Sequence, residues 1–263
     1  MSNYLFEHSW DQERRRLDLL QQVFDPGSEE HLGRIPLPPG GQCLEVGAGA
    51  GSIARWLCDR VGPDGRVVAT DLATDFLEGL TEKNLEVRRH DIVADELEEG
   101  AFDLVHARLV LEHIPERDLA LKRMAAALRP GGWLVVEDFD WASLLASPAC
   151  TAGELHTRMY GNPLRAVFAD AGASYDYGRH LPLDFRAAGL VDVGAEGRVH
   201  VALAGTPAAG WWQISMVKLR EPLLHTGGIS EAEFDEAMAA CDDDGYCTFY
   251  PTLVTVWGRR PVA

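Results

Sequence analysis

Three glycines at alternate positions, Gly47, Gly49 and Gly51, follow a short apolar run that carries one acid, Glu45. Glycines so placed let the backbone bend sharply between a strand and a helix and come into contact with a ligand. A second short apolar run ends at a lone acid, Asp71, where a carboxylate can accept two hydrogen bonds from a ribose diol. The pairing points to a nucleoside-containing cofactor. A dinucleotide site calls for Gly-x-Gly-x-x-Gly, with a helix N-terminus facing a pyrophosphate. Here the third glycine comes one residue early, and Ser52 stands in the next place. Glu45 is also misplaced beside a pyrophosphate and suits a cationic ligand.

These residues need elements to hold them. Helical periodicity covers 9–24, with Trp10, Leu17, Leu20 and Phe24 apolar, and stops before Asp25-Pro26-Gly27; a short helix follows over 28–34. Strands are expected at 42–47, 66–70, 85–90, 102–107 and 133–139. Helices at 51–61, 73–83 and 115–128 separate them. Strands alternating with helices imply right-handed parallel βαβ units, whose ligands bind at the carboxyl ends of the strands. Beyond the fifth strand, 151–170 reads as helix, 172–178 as loop and 179–188 as helix. A strand over 191–203, helices over 207–222 and 230–241 and a last strand over 246–257 complete the chain.

The segment Glu45-Val46-Gly47-Ala48-Gly49-Ala50-Gly51 resembles the first motif of the class I S-adenosylmethionine-dependent methyltransferases, with a likeness to small-molecule, ubiquinone/menaquinone-type members. The resemblance extends through Asp71-Leu72, His90-Asp91-Ile92, Phe102-Asp103-Leu104-Val105-His106 and Pro130-Gly131-Gly132-Trp133-Leu134-Val135-Val136. Five motifs stand in family order over residues 42–138. The resemblance implies an α/β fold, a doubly wound, mostly parallel seven-stranded sheet whose final strand is antiparallel, with a helical cap. It implies one domain over 1–263, with a core of about 36–140, 179–206 and 246–257. The cap would comprise about 1–34, 141–178 and 207–241.

The implied cofactor is S-adenosyl-L-methionine. By the same resemblance Glu45 lies beside its amino group, Gly47, Gly49 and Gly51 cradle it, Asp71 and Leu72 meet the ribose, and Asp91 and Ile92 the adenine. Arg108 either reaches the cofactor carboxylate or forms a surface ion pair. Methyl transfer from a sulfonium rests mainly on positioning, with a general base needed for a hydroxyl acceptor. His113, in Glu112-His113-Ile114-Pro115, and Asp138, at the fifth strand's end, are the candidate bases. Tyr4, Trp10 and Arg14 belong to a segment that closes over the cofactor in relatives. His156, Tyr160, Trp211, Trp212 and His225 fall in the cap, and His156, Tyr160 and Trp211 join Trp10 as candidate pocket residues. Adjacent helical residues diverge by about 100°, so only one of the two tryptophans can face the pocket. His106 reads as a buried, satisfied histidine. No metal set is visible.

The net charge is −17, from 24 basic and 41 acidic residues. Such a chain repels phosphate backbones and anionic headgroups, so nucleic acid and membrane are not expected partners and a small-molecule acceptor is. Five cysteines without CxxC spacing suit reduced thiols in the cytoplasm. The expected activity is O-methylation of a specialised metabolite. N- or C-methylation, a cyclase using bound cofactor structurally, and a homodimeric state all stay open.

Overall fold

The structure, a computed structural model, describes residues 12–147 and 149–262. Tyr4 and Trp10, expected over the cofactor, lie outside the described residues.

The chain begins with one long helix, α1 (Glu13–Arg34), where two were expected. Pro26 removes one backbone donor, yet the helix continues because its second half is anchored in the interior. Phe24, Ser28, His31 and Leu32 are all buried, and Ser28 Oγ donates across to the Glu137 carboxylate. Next come β1 (Gln42–Val46), α2 (Ser52–Val61), β2 (Arg66–Asp71), β3 (Leu85–Arg89), β4 (Phe102–Arg108), α3 (Arg117–Ala127) and β5 (Leu128–Asp140). The helix expected over 73–83 does not form. Asp71 caps the Ala73 N–H, and single turns close at Leu77 and Leu80. Both leucines lie over Gly51.

The fifth strand leads through β6 (Leu145–Ala146) into α4 (Gly153–Tyr160) and α5 (Asn162–Asp170), which a break at Gly161 separates. Then follow α6 (Leu181–Ala187), β7 (Val191–Arg198), β8 (Val201–Leu203), α7 (Pro207–Lys218), α8 (Arg220–His225), α9 (Glu231–Ala240), β9 (Cys247–Phe249) and β10 (Thr252–Arg259). Seven strands form one sheet in the order β3-β2-β1-β4-β5-β10-β7, and β10 runs antiparallel to both neighbours. The other pairings are parallel. The central strands are buried along most of their length, with apolar stretches such as Cys43-Leu44, Leu104-Val105 and Leu134-Val135-Val136, as strands covered on both faces require.

The two late strands expected as single runs are each bent into two. β7 and β10 stay in the large sheet, while β8 and β9 join β6 in a three-stranded antiparallel sheet. The corners coincide: Tyr250 N–H donates to the His200 carbonyl at 2.9 Å, and Pro251 cannot continue a ladder. The small sheet takes one strand, β6, from a segment expected in the cap and two, β8 and β9, from segments expected in the core. The cap's interior is aromatic, with Phe24, Phe139, Trp141, Trp211, Trp212 and Tyr250 in one buried cluster. Among the described residues no helix is long and apolar enough to cross a membrane.

Candidate functional site

The carboxyl ends of β1, β2, β4 and β5 open into a cavity of about 890 Å³ roofed in part by α1. Gly47, Gly49 and Gly51 all adopt positive φ (+69°, +57° and +81°). At Gly47 a side chain is excluded twice over: a Cβ there would lie 2.3 Å from Val110 Cγ2. Asp71 straps this turn down, accepting the Gly49 N–H at 2.9 Å and the Ala73 N–H at 3.2 Å.

Glu45, Gly47, Gly49, Asp71, Leu72, Asp91, Ile92 and Arg108 line the cavity. Gly51 does not; it caps α2 beneath Leu77 and Leu80. Asp91 Oδ1 accepts the N–H groups of Val93 and Ala94 at 2.8 and 3.3 Å, so it also caps its own turn. Arg108 donates to Asp25 at 2.7 Å and to Ser28 Oγ at 2.8 Å. Its ion pair is part-buried within the fold and not on the surface.

Beneath the cavity floor, His106 Nδ1 lies 2.7 Å from Glu45 Oε2, and its Nε2 is 3.8 Å from Glu137 Oε2. Burial works against a charge on His106. The Glu45 carboxylate, hydrogen-bonded to it, and the nearby Glu137 carboxylate prevail, and its pKa rises to about 9. Burial likewise works to raise Glu137, but His106, Arg108 and Ser28 hold it at about 2. His106, expected as a satisfied and partly buried histidine, is fully buried between two carboxylates.

Also lining the cavity, His113 stands beside Glu112, Nε2 to Oε1 at 3.3 Å. Glu112 Oε2 accepts the Phe139 N–H at 2.9 Å and the Trp141 indole N–H at 3.3 Å. Burial and then Arg16 depress His113 to about 3. Burial and then Asp138 push Glu112 well above the carboxylate range. The walls here are Leu17, Leu20, Phe139, Trp141, Trp211 and Ser215.

Asp138 is not among the lining residues. Strand side chains alternate between faces, so Phe139 faces the cavity and Asp138 the opposite way. Its Oδ1 accepts the Val110 N–H at 3.0 Å, and among the described residues its Oδ2 has no hydrogen-bond partner. Burial raises it to about 8, against the pull of nearby backbone N–H groups. Neighbouring Asp140 is held by both Arg179 nitrogens, at 3.0 and 2.6 Å.

His156 and Tyr160 are also absent from the lining. They bond each other at 2.8 Å, and Trp212 donates to the Tyr160 hydroxyl at 2.7 Å, inside the cap core. Trp211 does line the cavity while Trp212 does not, as helical divergence requires. His225 bonds the Glu221 carbonyl in the preceding turn of its own helix.

The sequence reading passed over Glu13, Arg16, Glu112, Phe139 and Trp141. Glu13 and Arg16 form a buried bidentate pair (2.8 and 2.7 Å) facing the cavity. Their spacing with Leu17 and Leu20 on one helical face was the available signal.

Residues 44–134 match a family described as a methyltransferase domain. The chain is similar to methyltransferase str2 of Strobilurus tenacellus, 32% identical over 48% of this chain and 46% of that protein. A ubiquinone/menaquinone biosynthesis C-methyltransferase, UbiE, of Bordetella parapertussis is 32% identical over 45% of this chain and 48% of its own length. The chain thus spans about half the length of these curated relatives. Among solved structures, the YcgJ protein of Bacillus subtilis superposes with a TM-score of 0.60 at 15% identity, covering 90% of this chain and 100% of that one. The last likeness shows the fold.

Proposed function

We propose, from the premise that this chain belongs to the class I S-adenosylmethionine-dependent methyltransferases, that it methylates a small-molecule acceptor, with oxygen the preferred nucleophile. The observation that carries the reading is convergence: Gly47 and Gly49 of the glycine turn, Glu45, Asp71 and Asp91 line the same cavity as His113, Glu112 and the aromatic side chains of Phe139, Trp141 and Trp211.

The residues suit the cofactor. The glycine turn leaves room only where side chains are missing. Glu45 and Arg108 offer opposite charges to a zwitterionic amino-acid end. Asp71 keeps lone pairs for a diol while it holds the turn, since a carboxylate accepts about four hydrogen bonds. Asp91 would meet the adenine amino group with Oδ2, and buried Ile92 would pack against the ring. When bound, the cofactor supplies a methyl group already activated by its sulfonium.

The protein's own part is to orient the acceptor and to keep water out, which Leu17, Leu20, Phe139, Trp141 and Trp211 do. Correct placement alone is worth about 7–11 kcal/mol of barrier. Burial depresses His113 to about 3, which weakens it as a base, and raises Glu112 well above the carboxylate range, so of this pair, 3.3 Å apart, the ionised Glu112 is the stronger proton acceptor and His113 orients it. A proton released by an acceptor hydroxyl therefore has a place to go. Asp138, facing away, is withdrawn as a candidate base.

Calorimetric titration tests the cofactor. S-adenosylmethionine and S-adenosylhomocysteine are expected to bind, and NAD more weakly; tighter binding of NAD would overturn the reading. Release of S-adenosylhomocysteine in the presence of phenolic acceptors tests the activity. The relative named as a C-methyltransferase favours a second reading, a carbon nucleophile. In that case changes at His113 and Glu112 would leave turnover of the carbon acceptor near the wild-type rate.

A further inference from the structure

Glu45 is half occupied before any ligand arrives. Among the described residues its Oε2 is held by His106 and no hydrogen bond engages Oε1. The partner is built into the sheet. Glu45 and His106 are register partners on β1 and β4, Arg108 and Glu137 on β4 and β5, Glu137 and Thr255 on β5 and β10, and Thr255 and Glu196 on β10 and β7. A polar row thus crosses the sheet, and α1 lies along it. Ser28 Oγ donates to Glu137, Arg108 donates to Asp25, and His31 Nδ1 lies 3.4 Å from Glu196. Thr255 Oγ1 donates to the other Glu137 oxygen at 3.1 Å.

Charge and geometry then agree. Glu45 and Glu137 flank His106, and Asp25 holds Arg108. Of the three carboxylates only Glu45 lines the cavity. A carboxylate pinned through one oxygen presents the other in a fixed direction, and a hydrogen bond to an ionised group is stronger than a neutral one. Glu137 completes the arrangement by holding the far side of the imidazole.

We propose that His106 is a positioning residue for Glu45: through its Nδ1–H it fixes the carboxylate that receives the ammonium group of the cofactor's amino-acid end. This rests on the cofactor reading above. It predicts discrimination between S-adenosylhomocysteine, which has the ammonium, and 5′-methylthioadenosine, which shares the nucleoside and thioether but lacks the amino acid.

Calorimetry with both ligands on wild type, His106→Phe and His106→Gln tests it. Loss of one charge-assisted bond should weaken S-adenosylhomocysteine by about tenfold or more in His106→Phe. Methylthioadenosine should stay within about twofold, because no part of it meets Glu45. His106→Gln, which keeps an N–H donor, should recover most of the loss. Equal weakening of both ligands, or no change in either, would overturn the role of His106 and leave the cofactor reading intact. Binding of neither ligand to the wild type would remove the cofactor reading itself. Should His106→Phe fail to fold, imidazole nitrogen NMR of the wild type decides. The His106 signals are expected to move with S-adenosylhomocysteine and to stay put with methylthioadenosine; the same movement with both would overturn the proposal.

Discussion

Asp71 serves the turn and the proposed ribose site with one carboxylate, so substitutions there separate the two. Asp71→Ala should weaken S-adenosylhomocysteine binding by about 2–4 kcal/mol, removing an ionised acceptor of diol hydrogen bonds and of the Gly49 N–H. Asp71→Asn retains one oxygen and should lose less. Calorimetry reads the affinity and circular dichroism the fold; unchanged affinity in Asp71→Ala would show that the residue does not meet the ligand. Elsewhere in the cavity, His113→Ala should lower kcat on a hydroxyl acceptor by roughly 10²-fold, with cofactor affinity kept. Glu112→Gln should act in the same direction, since it removes the titratable oxygen beside the imidazole. Asp138→Ala should affect stability and leave cofactor affinity unchanged. Single-turnover rates alongside titrations separate these effects, and near wild-type rates in both His113→Ala and Glu112→Gln would exclude the pair as the proton acceptor.

At the scale of elements, the glycine turn and α1 carry the site. Gly47→Ala combines a left-handed backbone with a Cβ placed 2.3 Å from Val110. It should cost about 1–3 kcal/mol of stability and weaken cofactor binding, whereas Gly62→Ala, also at positive φ but in open space, should cost only the backbone strain. Urea denaturation of the two variants makes the comparison. In α1, Phe24 is fully buried and stacks edge-on against Phe139 and Trp211. Its removal in Phe24→Ala should cost about 3–5 kcal/mol. It should also loosen the aromatic wall of the cavity, read as weaker protection of α1 amides from hydrogen exchange.

For the whole molecule, buried titrating groups set a pH profile that no single element predicts. His113 and His156, depressed by burial to about 3 and 4, bind protons more readily unfolded, so they lower stability as pH falls below about 6.5. Asp138, raised to about 8, and Glu112, also raised, bind protons more readily folded and oppose that fall. His106, raised to about 9, adds stability that is fully present below about 6.5 and lost as pH rises through 9. Stability should therefore be nearly level from about pH 5 to 6.5 and decline by several kcal/mol toward pH 9. Asp138→Asn should remove part of the decline between about pH 6.5 and 8 and expose the acid-side slope. Urea unfolding across this range checks both, and a wild-type profile that rises from pH 7 to 9 would contradict the assignment of charges.

The amino-acid sequence by itself determined the alternating α/β order, the glycine turn and the acids at strand ends. These are local: a backbone bend needs glycine where it bends, and strands covered on both faces need runs that are mostly apolar. It also separated Trp211 from Trp212, because helical divergence is local too. Only the tertiary structure decided that α1 runs through Pro26, since buried contacts of Phe24, Ser28 and Leu32 outweigh one lost donor. Only it showed Asp138 turned away and Glu112 turned inward, because a strand's end leaves open which face meets the cavity. The bending of two late strands into a second sheet, and the row from Glu45 to Glu196, depend on register between distant segments. No window along the chain contains that register; it exists only once the strands lie side by side.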